Sequence, residues 1–183
     1  MKKSLPLSFI APVFLLACGF LLSCGTTRKD FRPDRKYSPE QLKKDYRVFR
    51  GVLESWHPSL YWYTPKDSMN YYFDQGYAAL SDSMTEPQFR TVLSHVIAQV
   101  GCGHTSIRSS KAYSHYLDTA RLRQFPLILK FWPDTMVVAA NLNRHDTVLR
   151  RGTMIQTING RTAQQLTDTL FPYIVTDGYN RTG

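Results

Sequence analysis

Three times between residues 38 and 88 a hydroxyl residue is followed within two positions by proline, and an apolar period of three to four then begins. The sites are Ser38-Pro39-Glu40-Gln41, Thr64-Pro65-Lys66-Asp67 and Thr85-Glu86-Pro87-Gln88. Proline is pre-set for the first helical turn, whose N–H groups have no intrahelical partner, and a Ser or Thr ahead of it supplies a capping oxygen. Gln41 is placed to close a capping box on Ser38. After the first start, Leu42, Tyr46, Phe49, Leu53 and Trp56 share one face, with Lys43, Lys44, Asp45, Arg47 and Arg50 off it, until His57-Pro58 ends the helix. Met69, Tyr72, Phe73, Tyr77 and Leu80 form the second apolar face. Phe89, Val92, Leu93, Val96, Ile97 and Val100 form the third, stopped by Gly101 and Gly103. Three amphipathic helices with short connectors predict a helical subdomain over residues 38–108.

Beyond it the pattern changes. Residues 109–124 have little periodicity and read as a connector. Residues 125–131, 136–142 and 153–158 read as strands, Asn159-Gly160 as a turn, and 162–170 as a short helix. The expected fold class is therefore α+β, a three-helix subdomain followed by a small β-rich module over residues 125–175, with loop-like residues 176–183 after it. With 43% hydrophobic and 13% aromatic residues, the chain has ample apolar surface to bury, which excludes a disordered class.

The first 23 residues stand apart. Lys2 and Lys3 precede an apolar run over residues 5–22, and Leu21-Leu22-Ser23-Cys24 fits a lipobox: an apolar residue three before the cysteine, a small residue before the cut, and a thiol to take the lipid. Leu15-Leu16-Ala17-Cys18 fits as well. Cys24 is preferred as the attachment site because a polar tether, residues 24–37, begins there, whereas Cys18 leaves Gly19-Phe20-Leu21-Leu22 as a greasy start. An uncleaved membrane helix is the plainer alternative; Pro6 and Pro12 weaken it. Arg28, Lys29, Arg32, Arg35 and Lys36 follow the apolar run, against the positive-inside tendency. The expectation is nonetheless an exported chain, lipid-anchored in the bacterial cell envelope and facing the periplasm or the exterior.

Removing Lys2 and Lys3 takes the formal charge from +9 to +7. The remaining basic residues are scattered, with density only in the tether, where anionic headgroups are a natural contact. No nucleic-acid partner is expected. With Cys24 lipidated and Cys18 removed, Cys102 is the one thiol left, so stability must come from packing.

Gly101-Cys102-Gly103-His104-Thr105-Ser106 is the most suggestive cluster for chemistry. A histidine between glycines and hydroxyls at a helix end projects readily and titrates near neutrality, as a general base must. A histidine satisfied by local backbone groups is the plainer reading of these residues alone. Cys102 is too close in sequence to pair productively with His104 and reads as a spectator thiol. His95 and His115 follow no metal spacing, and no metal or cofactor is expected. Ser106, Ser109 and Ser110 lack a strand-to-helix elbow and read as loop residues.

Leu53-Glu54-Ser55-Trp56-His57-Pro58-Ser59-Leu60-Tyr61, Met84-Thr85-Glu86-Pro87-Gln88-Phe89 and Gly103-His104-Thr105 together resemble the amino-terminal helical region of serine peptidase family 41. That family comprises the tail-specific, C-terminal processing and tricorn-type peptidases. The segment from Val148 through Gly152-Thr153-Met154-Ile155 to Ile158-Asn159-Gly160-Arg161 is similar to the second half of their PDZ-like domain, here abbreviated. The resemblance implies that His104 is a candidate general base for a serine in a downstream α/β domain, with residues 176–183 leading toward it. It implies a polypeptide substrate or peptide C-terminus as partner, and an inactive chain when these residues stand alone. The alternative expectation is a non-enzymatic, lipid-anchored peptide- or protein-binding module. Oligomeric state has no signal in the sequence.

Overall fold

The computed structural model describes residues 31–180; the segment read as a signal peptide with Cys18, the expected lipid-attachment residue Cys24, residues 25–30 of the expected tether and residues 181–183 lie outside the described residues. Within them the protein is mixed α+β, with five α-helices and small antiparallel sheets. Helices α1 (Pro39–Trp56), α2 (Lys66–Ala78) and α3 (Glu86–Ala98) follow a two-residue strand β1 (Lys36–Tyr37), and β2 (Met84–Thr85) leads into α3. The pair β1–β2 is antiparallel, with Lys36 opposite Thr85 and Tyr37 opposite Met84.

Local chemistry accounts for the helix starts. The Ser38 hydroxyl accepts from Gln41 N–H at 3.4 Å while Gln41 Oε1 accepts from Ser38 N–H at 3.1 Å, the reciprocal capping box expected from the sequence. Thr64 behaves differently. Its hydroxyl makes no cap to α2 and instead donates to the carbonyl of Gln99, tying the start of α2 to the end of α3.

The core lies among these three helices. Leu42, Tyr46 and Leu53 of α1 meet Met69 and Phe73 of α2 and Leu93, Val96 and Ile97 of α3, closed off by Leu60, Leu80 and Val100. The Tyr46 ring is buried, and its hydroxyl donates to the Phe73 carbonyl at 2.8 Å, so a polar atom enters the core with its partner supplied. Burial pushes that phenol well above its ordinary range. Gly76 makes this approach feasible: a Cβ there would stand 2.9 Å from Val96 Cγ2 and closer still to the Tyr46 hydroxyl. Arg50, expected on the solvated face, instead lies 4.9 Å above the Phe73 ring and binds Glu54 at 2.8 Å and Asp74 at 3.0 Å, bridging α1 to α2.

Trp56 departs from the expected face. It is 82% exposed, although it continues the spacing of Leu42, Tyr46 and Leu53. The helix ends at the next residue, and the chain turns at His57 before a partner can cover the indole.

Residues 109–124, read as lacking periodicity, contain helix α4 (Lys111–Thr119). Ser110 caps it, accepting from Tyr113 N–H at 3.1 Å, and Glu86 holds both the N–H and the hydroxyl of Ser110 at 2.7 Å. Strands β3 (Leu127–Phe131), β4 (Met136–Asn141) and β5 (Met154–Ile155) then form an antiparallel sheet in the order β3-β4-β5, with Met136 and Val138 buried. The single strand expected over residues 153–158 is split at Gln156. Its second half, β6 (Thr157–Ile158), pairs with β7 (Arg161–Thr162) through the Asn159-Gly160 turn, where φ is 51° and 77°. Helix α5 (Ala163–Leu170) starts from a Thr162–Gln165 capping box and runs into a 3₁₀ turn, Phe171–Tyr173, that lies against α3.

The turn after β4 is organised by one carboxylate. Asp146 accepts from Val148 N–H at 2.8 Å and Leu149 N–H at 3.1 Å, and its other oxygen accepts from the Asn141 amide at 3.1 Å. These bonds favour the ionised form, the Val148 bond foremost, and hold the Asp146 carboxyl below its ordinary value. A depressed carboxyl stabilises the turn above its unfolded pKa, and that contribution disappears as pH falls through the folded value. The Val148 amide resonance should therefore titrate in acid with a midpoint below an ordinary aspartate, and Asp146→Asn should abolish the transition. A midpoint at or above the ordinary value would contradict this account.

Candidate functional site

His104 lies in the loop that follows α3. Gly101, at φ 67°, ends the helix in the left-handed conformation, and any Cβ there would press on Tyr63, at 3.1 Å from its Cβ and 3.2 Å from its ring. The next residues close a tight turn, Thr105 N–H donating to Cys102 C=O at 3.0 Å, with His104 at its outer, exposed position.

Two distant segments hold this turn. From the end of α1, His57 Nε2 stands 2.8 Å from the Thr105 hydroxyl, across 48 residues of sequence. Its other nitrogen, Nδ1, is buried with no hydrogen-bond partner, so the Thr105 contact is what orients the ring. From the other side, the Asp177 carboxylate accepts Gly103 N–H at 2.8 Å, 74 residues away in sequence, and Gly178 N–H donates to Gly101 C=O at 2.8 Å. Gly103 has no room for a side chain, since a Cβ would lie 2.7 Å from that carboxylate.

The outcome is an open cleft of about 350 Å³ bordered by Val52, Trp56, His57, Cys102, His104 and Thr105. It offers one exposed imidazole on a fixed loop, one half-buried imidazole bonded to a hydroxyl, and an apolar wall from Val52 and the exposed Trp56. Such a cleft can accept a proton at His104 from a group brought against it. Cys102 is a half-buried free thiol, and among the described residues no hydrogen bond joins it to either histidine. Ser110 is occupied as a helix cap, and Ser106 is an exposed loop residue. Among the described residues no group of three or more His, Cys, Asp or Glu is placed to hold a metal ion.

His57 and Asp177 were not singled out from the sequence. His57-Pro58 reads as a helix stop and as part of the segment that carries the family resemblance, with no role of its own for His57, and Asp177 lies in a stretch read as loop. Both act over distances that local pattern does not report. Replacing Asp177 by alanine leaves Gly103 N–H without its charged acceptor, a bond of about 1.5 kcal/mol at this exposed position. Amide exchange at Gly103 and Gly178 is expected to speed up about tenfold. Unchanged exchange would show that the C-terminal segment does not hold the turn.

No family model matches this chain, and neither a curated protein nor a solved structure shows significant similarity to it.

Proposed function

We propose that these residues form the amino-terminal part of a lipid-anchored envelope serine endopeptidase of the family-41 type, in which His104 removes the proton from a serine contributed by an α/β domain. The observation that carries the reading is the doubly held turn: His57 and Asp177 fix the loop from two sides and leave His104 exposed beside a cleft. A general base needs that combination of fixed position and access. The serine hydroxyl loses its proton to His104 as its oxygen bonds to the peptide carbonyl carbon, and His104 then returns the proton to the leaving amine. The described residues by themselves would not cleave a peptide, because that reaction needs the nucleophile.

The β-rich part supports a PDZ-like role in this scheme. Strand β3 lies at the edge of its sheet, paired with β4 on one side, and an extended peptide joins such an edge by main-chain hydrogen bonds. The fold by itself reaches only the coarser α+β description.

The test is to tag the gene product at its native locus and treat the cells with a fluorophosphonate. A labelled serine on the polypeptide that carries these residues is expected, and His104→Ala should reduce labelling at least a hundredfold, in keeping with the 10²–10⁴ usual for a general base. Labelling that is absent, or that His104→Ala leaves untouched, overturns the peptidase reading and favours the lipid-anchored binding module.

A further inference from the structure

A second cleft lies on the other side of the Gly101 turn. It has a volume of about 480 Å³ and forms where the segment after α5 meets the ends of α2 and α3. Two ring clusters border it. Tyr63 and Tyr179 meet edge to face at 5.7 Å, and His95 sits between Tyr72 at 6.3 Å and Tyr173 at 5.3 Å. The wall between them is backbone in the left-handed conformation that glycine adopts freely: Gly101 and Gly178 have φ of 67° and 59°, and each lies so close to the Tyr63 side chain that a Cβ would press on it.

The lining excludes two ligand classes. Among the described residues no Asp, Glu, Lys or Arg borders the cleft, although the whole chain carries a formal charge of +9, so a charged ligand would find no carboxylate, ammonium or guanidinium counter-charge among them. A purely apolar ligand fits no better. Among the described residues the His95 ring nitrogens have no hydrogen-bond partner, and Gln99 uses only its Nε2, donating to the His95 carbonyl at 3.2 Å, which leaves Oε1 open. Covering those groups with hydrocarbon would strand donors and acceptors. A ligand that suits the cleft is neutral, has an apolar face to lay on a tyrosine ring, and carries hydroxyl or amide groups at its edge.

We infer that this cleft is a binding site for a neutral saccharide, a pyranose packing its C–H face against the Tyr63–Tyr179 pair while its hydroxyls reach His95 and Gln99. This reading is independent of the peptidase proposal, because it uses neither His104 nor a nucleophile. The volume falls within the range of small-ligand sites.

The test is calorimetric titration of the purified full chain with triacetylchitotriose, maltotriose and cellotriose, each alone. One of the three should bind, and Tyr179→Ala should weaken that binding at least tenfold, while Val148→Ser, far out on an exposed loop of the β-rich part, should leave it unchanged. Should Tyr179→Ala fail to fold, His95→Ala is the second variant and should weaken binding to a similar degree. Silence from all three sugars at millimolar concentration overturns the inference, as does binding that the folded cleft variants leave intact. A tyrosine-bearing peptide that binds in the cleft where none of the sugars does assigns it to a peptide instead.

Discussion

Phe73→Ala is expected to lower the unfolding free energy by about 3–5 kcal/mol, the cost of removing a fully buried aromatic ring. The ring has no solvent exposure, packs edge to face on Phe49 at 6.4 Å and carries the Arg50 guanidinium at 4.9 Å on its face. The loss therefore includes more than a cavity. Arg50 is held between α1 and α2 partly by that ring, so its bonds to Asp74 and Asn70 lose their alignment as well. Total stability of a domain is typically about 5–15 kcal/mol, so the variant should be partly unfolded at moderate temperature. Urea unfolding of the full chain provides the measurement, with the midpoint moving and the slope unchanged. Tyr71→Ala on the same helix is the control, because Tyr71 is 60% exposed and its loss should stay within about 0.5 kcal/mol. Equal losses for the two variants would contradict the placement of the core among α1, α2 and α3.

The second large effect concerns the anchor. Cys24→Ser is expected to abolish incorporation of labelled palmitate, because the hydroxyl that replaces the thiol does not take up the diacylglycerol. Cys18→Ser should leave incorporation at its original level. The pair of variants separates the two lipobox registers, Leu15-Leu16-Ala17-Cys18 and Leu21-Leu22-Ser23-Cys24. Labelling that survives in the Cys24 variant and disappears in the Cys18 variant would move the anchor to Cys18. Labelling absent from the wild-type chain would remove the lipoprotein reading. Among the described residues no helix is long and apolar enough to cross a membrane, so these experiments address the amino-terminal segment alone.

The helix starts were legible because their causes are local. Ser38 and Gln41 are three residues apart and bond to each other, so the signal and its structural consequence share one turn. Asn159-Gly160 was legible for the same reason, both residues adopting the positive φ that the pair favours. Trp56 was misplaced because periodicity assigns a face and does not say where the covering partner stops. Helix α4 was missed although Ser110 caps it and Tyr113, Tyr116, Leu117 and Ala120 repeat at helical spacing; it buries none of its residues fully, and its weak face gave a weak signal. The break at Gln156 arises because residues 154–155 pair with β4 while 157–158 pair with β7, a choice of partners that a run of strand-forming residues does not encode. At the candidate site His104 stood out through its flanking glycines, while His57 and Asp177, joined to the loop only by folding, did not.

The short pairing of β1 with β2 has a mechanical consequence. A pull applied to the residues ahead of Lys36 is received first by a two-residue ladder at Lys36–Tyr37 and Met84–Thr85. Tyr37 is also packed against the helical core, so the load passes into the base of α3. The turn carrying His104 lies beyond the opposite end of that helix, fastened to His57 and Asp177. With only two residue pairs in the ladder, tension at the front of the chain is expected to peel it open before it distorts that turn.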